Sequence, residues 1–343
     1  MKVVSDNSLE SEKKIDIAFC FDDGLWMQAG VAIASLLHSS RGKCSYNIYC
    51  IVNKKVGTMH RRELKEIAEK QDSASSIVFI DANHDFDKSH CGEFGIGMYY
   101  VLMLPQLLLH LDKIIYSDVD VIFCRDLIEV NDIDLQNNLI AGIKDKLSVS
   151  SKKERAYEFD DSERKIGLGA GEYINSGFLI MNLKEFRKQN LYNECIELSK
   201  KKFIECPDQD ILNYVCCGQK IFIPLKYAFV PWGSIIYNEC VRGEIYSIEE
   251  YEEALYDPAM IHYAFAKPWK QKVRLEEIWW KYAAFTPFSR FFALDYSRQL
   301  CARTIYLFGF IPILSINILR GKIRYYLFGF IPLLKIKREK LNV

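Results

Sequence analysis

The sequence holds 343 residues, 50% of them hydrophobic and 26% charged, enough for one large core or two modest ones and too apolar for a disordered chain. The formal net charge is zero but unevenly spread: from Arg298 onward nine Lys or Arg stand against one acid, Glu339, leaving 36 basic and 44 acidic residues before them. Eleven cysteines, none in a C-x-x-C pair and two adjacent at Cys216 and Cys217, exclude zinc spacing and a secreted disulfide framework.

A polar stretch, MKVVSDNSLESEKK, opens the chain. It has no apolar run behind its charges, so it does not read as a signal peptide, and a reducing cytosol is the expected compartment. Ile15 to Phe21 is a short apolar run of strand formers that stops at the turn signal Asp22-Asp23-Gly24. Met27 to Leu37 has helical apolar spacing, Tyr46 to Val52 reads as a second strand, Arg61 to Lys70 as an amphipathic helix and Ser76 to Asp81 as a third strand. Tyr99 to Leu111 is apolar over a helical length and leads into the strand Lys113 to Asp118. Strands alternating with helices predict an α/β architecture on a mostly parallel sheet. Ligands of such sheets bind outside the carboxyl ends of the strands, where Asp22-Asp23 and Asp118-Val-Asp120 fall.

Lys144 to Gly171, dense in charge and glycine, predicts a long surface loop. Ile174 to Asn182 returns to strand character, Leu183 to Lys202 predicts one helix, and Asp208 to Val215 another with Asp208 near its N-cap. Gly233 to Asp257 shows no clear periodicity. Beyond Trp269 the chain is basic and aromatic, and YLFGFIP from Tyr306 to Pro312 returns twenty residues later from Tyr326 to Pro332. The repeat is too short and broken to span a bilayer. It reads as a segment lying in a membrane interface, or as a pair of short helices packed back onto the body.

Four constellations carry chemistry. In extended chain, residues i and i+2 point the same way, so Asp118 and Asp120 present two carboxylates to one hard divalent cation, whose shell phosphate completes. The bland alternative is a pair of solvated turn acids. His262, in Met260-Ile-His-Tyr-Ala-Phe-Ala-Lys267-Pro-Trp269, is a structural or surface histidine or a third metal ligand, with Lys267 available to meet phosphate charge. Small residues beside Asn175 in Glu172-Tyr-Ile-Asn-Ser-Gly177 allow a ligand close to the backbone, or mark a bulged strand edge. Asp208-Gln209-Asp210 is either part of a site or a helix cap.

Together these pieces, AFCFDDG, LDKIIYSDVDVIF, YINSGFLIMNLKEF, PDQDILN and HYAFAKPW, resemble glycosyltransferase family 8. The family includes bacterial lipooligosaccharide galactosyl- and glucosyltransferases and, more distantly, glycogenin. The resemblance runs from about Ile15 to Trp269. It implies a GT-A fold and a retaining, manganese-dependent transfer from a UDP-sugar, with magnesium as the second candidate ion. It further implies that Asp118, Asp120 and His262 ligate the metal. Asp22, beside Asp23, would meet the uracil or ribose, Asp145 and Asn175 the donor sugar, and Lys267 the diphosphate. Asp208 and Gln209 would sit beyond the anomeric carbon as the catalytic pair. The chain departs from the family pattern in three ways, one of them a loop from His262 to Lys267 that is one residue shorter than usual. Val101 follows the Tyr99-Tyr100 pair where many relatives carry Arg, and Gly24 stands where the galactosyltransferases have Asn.

The expected organisation is a polar segment 1–14, a GT-A domain 15–270 and a membrane-associating extension 271–343. The expected function is hexosyl transfer, of galactose or glucose, to a lipooligosaccharide or lipopolysaccharide acceptor. The enzyme would be cytoplasmic and peripheral on the inner face of a bacterial plasma membrane, held to anionic lipid by residues 298–343. The alternative, motivated by Val101 and Gly24, is a nucleotide-sugar-binding protein with weak or no turnover. No nucleic-acid motif is present and the body is net acidic, so nucleic acid is not an expected partner.

Overall fold

The structure is a computed structural model describing residues 13–91, 95–145, 173–201, 206–231, 245–264, 266–300, 302–307, 311–319, 322–327 and 331–337. The loop expected over 144–171 and much of 233–257 lie outside the described residues. Contacts divide the chain into two compact units, one ending at Ala264 and the other beginning at Phe265.

The first unit begins as the sequence pattern dictates. β1 (Lys14–Phe21), β2 (Ser45–Val52) and β3 (Ser76–Asp81) are parallel, joined by α1 (Trp26–Ser39) and α2 (Thr58–Gln71). β1 is buried from Ile17 to Phe21, as a parallel strand covered on both faces must be. α2 buries only Leu64, Ile67 and Ala68, the i, i+3, i+4 stripe of a surface helix.

The chain then crosses to the other side of β1. A short 3-10 turn, Ile96–Tyr99, leads into α3 (Tyr100–Leu107). The helix expected over 99–111 is therefore shorter: the backbone leaves helical geometry at Leu108, three residues past Pro105, whose ring removes one helical hydrogen bond. β4 (Ile114–Ser117) docks parallel on β1 with Ile115 opposite Ile17.

β5 (Val121–Phe123), the single-turn α4 (Ile128–Asn131) and β6 (Ile140–Lys144) follow. β7 (Ile174–Met181) runs antiparallel between β4 and β6, and β8 (Lys220–Phe222) closes the far edge. The sheet order is β3-β2-β1-β4-β7-β6-β8. β7 is interior and buried throughout, so the strand-edge reading of Asn175 to Gly177 does not hold.

The helix expected over 183–202 is two helices, α5 (Leu183–Lys188) and α6 (Leu191–Ser199). The break is Asn190, at φ 55°, in the left-handed region that asparagine tolerates better than most side chains. α7 (Pro207–Val215) starts from Cys206 with Pro at its first position, where the missing N–H costs nothing. α8 (Ile248–Tyr256) is capped by Ser247, which accepts from the Glu250 N–H. β9 (Met260–His262) pairs antiparallel with β5 in a separate small sheet.

In the second unit, α9 (Glu276–Ala283) and α10 (Ser289–Leu300) enclose an aromatic cluster. Trp279 is fully buried, its ring 5.2 Å from Trp269 and 4.9 Å from Phe292. The described residues of the repeat that follows form strands, in place of the short helices that were one expectation. They build an antiparallel meander of β10 (Ala302–Leu307), β11 (Ile311–Leu319), β12 (Lys322–Leu327) and β13 (Ile331–Lys337). The strands flanking the centre of each repeat pair antiparallel, with Tyr306 opposite Pro312 and Tyr326 opposite Pro332, and each pair carries a register shift just before that tyrosine. The proline opposite each tyrosine, which cannot donate to a ladder, marks the irregularity. Among the described residues no helix is long and apolar enough to cross a membrane.

Candidate active site

β1 and β4 are neighbours, yet β2 and β3 separate them in sequence on the far side of β1. This is a topological switch point, where open α/β sheets leave a crevice beyond the strand ends. Asp22 and Asp23 leave β1 there and Asp118 leaves β4. The antiparallel turn of β7 brings its amino end, Tyr173 to Asn175, to the same edge, and Asp145 leaves β6 there with its N–H on the Tyr173 carbonyl at 2.8 Å.

The acid pair is fixed by backbone bonds. The Asp118 N–H donates to the Gly177 carbonyl at 2.9 Å, and the Tyr263 N–H donates to the Asp120 carbonyl at 2.9 Å. Val121 lies opposite His262 in the β5–β9 pair, which carries the histidine across more than a hundred residues to the acids. His262 Nε2 is 3.5 Å from Asp118 Oδ2 and 3.3 Å from Asp120 Oδ1. One ligand atom from each of the three lies within 4.8 Å of the others. The imidazole is almost fully buried, while the Asp118 carboxylate keeps 36% of its surface open.

These donors fit a divalent cation. Two carboxylates and one imidazole suit a first-row metal, and the open side of Asp118 leaves room for phosphate oxygens. Gly177 completes the cradle: a Cβ there would lie 2.1 Å from His262 Cε1, so glycine is what lets the imidazole reach the acids. The small residue admits a histidine of the same chain, where the sequence suggested room for a ligand. In the absence of a cation, burial alone would lower the His262 pKa. The Asp120 and Asp118 carboxylates outweigh burial and lift it to about 9.

A second network lies beside the first. Asn175 Nδ2 donates to Asp145 Oδ2 at 2.7 Å, and Gln209 Nε2 donates to the same oxygen at 3.2 Å. Gln209 Oε1 accepts from the Ser176 N–H at 2.9 Å, and the Ser176 hydroxyl donates to Asp208 Oδ2 at 2.9 Å. Asp145, Asn175, Asp208 and Gln209 thus meet in one hydrogen-bonded group. Burial, and then the Asp118 carboxylate, lift the Asp208 pKa to about 7. Asp208 thus interacts with Asp118, while its carboxylate also accepts from backbone N–H groups in the first turn of α7, its own and that of Gln209; the N-cap position itself is Cys206. Asp210 serves the helix start as well: its Oδ2 accepts from the Cys206 N–H at 3.2 Å.

The remaining expected residues are placed as follows. Asp22 Oδ1 accepts from the Gly24 N–H at 2.8 Å, and Asp23 Oδ1 from Asn53 at 3.1 Å. Lys267 belongs to the second unit, where its carbonyl accepts from the Lys270 N–H at 2.9 Å and the Gln271 N–H at 3.0 Å. Val101 is fully buried in the core on α3.

Sequence reasoning assigned no role to Tyr116, Ser176 or Asn213. Tyr116 donates to Asp118 Oδ1 at 2.6 Å; its i−2 spacing on a strand was the available signal. Asn213 is fully buried and bonds the Ile174 N–H, the Ile174 carbonyl and the Gln209 carbonyl. It ties α7 to β7, a contact between distant segments with no local signature.

A mixed, mostly parallel sheet flanked by helices, with two acids and an imidazole gathered at its switch point, has the architecture of the GT-A fold. The chain belongs to glycosyltransferase family 8: the sequence model described as "Glycosyl transferase family 8" matches residues 16–273. It is 25% identical over 296 residues to a lipopolysaccharide 1,2-glucosyltransferase of Escherichia coli K12, covering 80% of this chain and 81% of that one. It is 22% identical over 276 residues to general stress protein A of Bacillus subtilis, covering 78% and 91%. Among solved structures, the galactosyltransferase LgtC in complex with donor and acceptor sugar analogs superposes with a TM-score of 0.65 at 24% identity, over 80% of this chain and 96% of that one. The bifunctional glycosyltransferase WbbM superposes at 0.66 and 24%, and this chain spans 52% of its length. At these identities the superpositions establish the fold.

Proposed function

We propose that this glycosyltransferase moves a hexose, galactose or glucose, from a UDP-sugar to a lipooligosaccharide or lipopolysaccharide-type glycan with retention of configuration. The observation that carries the reading is the Asp118–Asp120–His262 cluster at the switch point, with Asp208 beside it. The three residues would hold manganese, with magnesium as the second candidate, and the bound ion supplies charge that neutralises a diphosphate leaving group. Asp22, beside Asp23, would meet the uracil or ribose. Asp145 and Asn175 would orient the sugar hydroxyls, and Lys267 would meet the diphosphate.

Glycosyl transfer passes through an oxocarbenium-like state. The Gln209 amide is a weak nucleophile and its oxygen already accepts from the Ser176 N–H. Its contribution is to hold Asp145 and Ser176, and through Ser176 the Asp208 carboxylate, as fixed dipoles and charge around the anomeric carbon. This favours front-face transfer, with a donor phosphate oxygen taking the acceptor proton; Asp208 as a covalent nucleophile is the alternative.

Residues 15–270 are the proposed catalytic domain and 271–343 an extension that meets the anionic inner face of a bacterial plasma membrane. The meander supports this. Lys322 lies opposite Lys337, and Arg324 opposite Lys335. The register thus groups four basic positions within the meander, and basic residues favour an anionic surface. The relatives that act on lipopolysaccharide support a lipid-linked acceptor.

A second reading, a nucleotide-sugar-binding protein with little turnover, is favoured by Val101, which puts a buried apolar side chain where many relatives carry Arg. Incubation with UDP-galactose or UDP-glucose and deacylated lipooligosaccharide separates the two. Transfer adds one hexose by mass, and proton NMR shows an α-linkage from the α-donor. An unchanged acceptor with both donors rejects the first reading.

A further inference from the structure

Tyr116 is almost fully buried on β4, and its hydroxyl donates to Asp118 Oδ1 at 2.6 Å. A phenol has one proton to give, and here it goes to one carboxylate oxygen. The other oxygen, Oδ2, is the one turned toward His262 Nε2. The two oxygens of Asp118 therefore have separate tasks, one tied to the strand that carries it and one facing the cluster. Nothing in the transfer chemistry needs Tyr116, yet burying a phenol and pairing its hydroxyl with a carboxylate is a specific arrangement. The Ser117 hydroxyl, donating to the Asp118 carbonyl at 2.9 Å, and the Asp118 N–H on Gly177 fix the backbone, so the carboxylate cannot rotate away without breaking the Tyr116 bond.

We propose that Tyr116 is a positioning residue that sets metal selectivity: by occupying Asp118 Oδ1 it restricts Asp118 to one-oxygen ligation and biases the cluster toward small octahedral ions. The inference rests on the assignment of Asp118, Asp120 and His262 as metal ligands. Calcium takes six to eight oxygens and accepts two-oxygen carboxylates, whereas magnesium demands six near-ideal positions. A carboxylate with one oxygen withheld offers calcium less than it offers manganese or magnesium. Freeing that oxygen removes the discrimination.

The experiment is equilibrium binding of Mn2+, Mg2+ and Ca2+ alone to the full chain and to Tyr116→Phe, read by the free Mn2+ electron paramagnetic resonance signal and by competition. The variant keeps the buried ring and loses only the hydroxyl. Manganese affinity is expected to fall about 10- to 100-fold, the usual cost of removing a partner that orients a ligand. Calcium affinity is expected to hold or rise, so the manganese-to-calcium ratio collapses. An equal loss for all three ions makes Tyr116 a structural prop and overturns the proposal, as does an unchanged ratio. A second measurement does not depend on the variant folding: infrared difference spectra of the native chain on manganese loading. A wide separation of the carboxylate stretches, absent in Asp118→Asn, is expected for one-oxygen ligation; a narrow separation overturns it. If native protein binds none of the three ions, the ligand assignment itself fails, an outcome distinct from loss of selectivity alone.

Discussion

The Cα of Gly177 faces the His262 imidazole so closely that a single added Cβ would lie 2.1 Å from Cε1 and 2.9 Å from Nε2. The same glycine accepts the Asp118 N–H through its carbonyl. One residue of β7 thus makes room for one metal-ligand candidate and holds the backbone of another. Gly177→Ala must push the imidazole aside. Displacements near 1 Å at an active site cost about 100-fold in rate, and kcat/KM is expected to fall by about that factor. The Mn2+ resonance signal should show weaker binding, and the thermal midpoint should fall as well, because Gly177 and the imidazole are both buried and overpacking there costs about 1–3 kcal/mol.

Proton competition at His262 gives a pH signature. Its pKa in the folded, cation-free protein is raised to about 9 by Asp120 and Asp118 against the opposing effect of burial. A cation must displace that proton, so apparent affinity rises with pH across about 6.5 to 9, by at most tenfold per unit for one proton, and levels off above. The same shift acts on stability. A histidine whose folded pKa exceeds its unfolded value stabilises fully below about 6.5, and that contribution is lost as pH rises through about 9. Isothermal titration in two buffers of different ionisation enthalpy reads the released proton. Affinity independent of pH in this window contradicts the assignment.

Asn213 offers a stability test separate from chemistry. It satisfies both polar groups of the Ile174 backbone in the core. Asn213→Ala leaves them buried and unpaired, at about 2–4 kcal/mol, measurable as a lower urea midpoint. Manganese affinity of the folded fraction should stay within about threefold, because Asn213 touches none of the three cluster residues.

Residues 298–343 are expected to carry membrane association. Removing them should abolish sedimentation with vesicles of anionic phospholipid, and replacing Lys322, Arg324, Lys335 and Lys337 by Gln should weaken it and flatten its salt dependence. Equal sedimentation of the truncated chain contradicts the membrane reading. Loss on truncation with no effect of the four substitutions places the contact elsewhere in the extension.

The sequence made β1, β2 and β3 and their helices legible because their apolar periodicity is local and unbroken. The acid pair was legible for the same reason: Asp118 and Asp120 sit i, i+2 behind a buried strand. His262 was visible only as one motif among several, since its meeting with the acids depends on β9 pairing with β5 across the chain. The single helix expected over 183–202 failed at Asn190, where one left-handed residue breaks a continuous apolar pattern. The tail misled for a related reason. Its repeat was plain, but Gly and Pro within apolar runs fit both broken helices and hairpins, and only the strand register decides between them.

The most direct test is UDP release from a panel of UDP-sugars, with manganese and with chelator, for the native chain and for Asp118→Asn with Asp120→Asn. Release from one hexose donor is expected, stimulated by a lipooligosaccharide acceptor, abolished by chelator and absent in the double variant. Tight binding of UDP and manganese with no release from any donor, acceptor supplied, would contradict a transferase and support a protein that binds nucleotide sugars without turning them over.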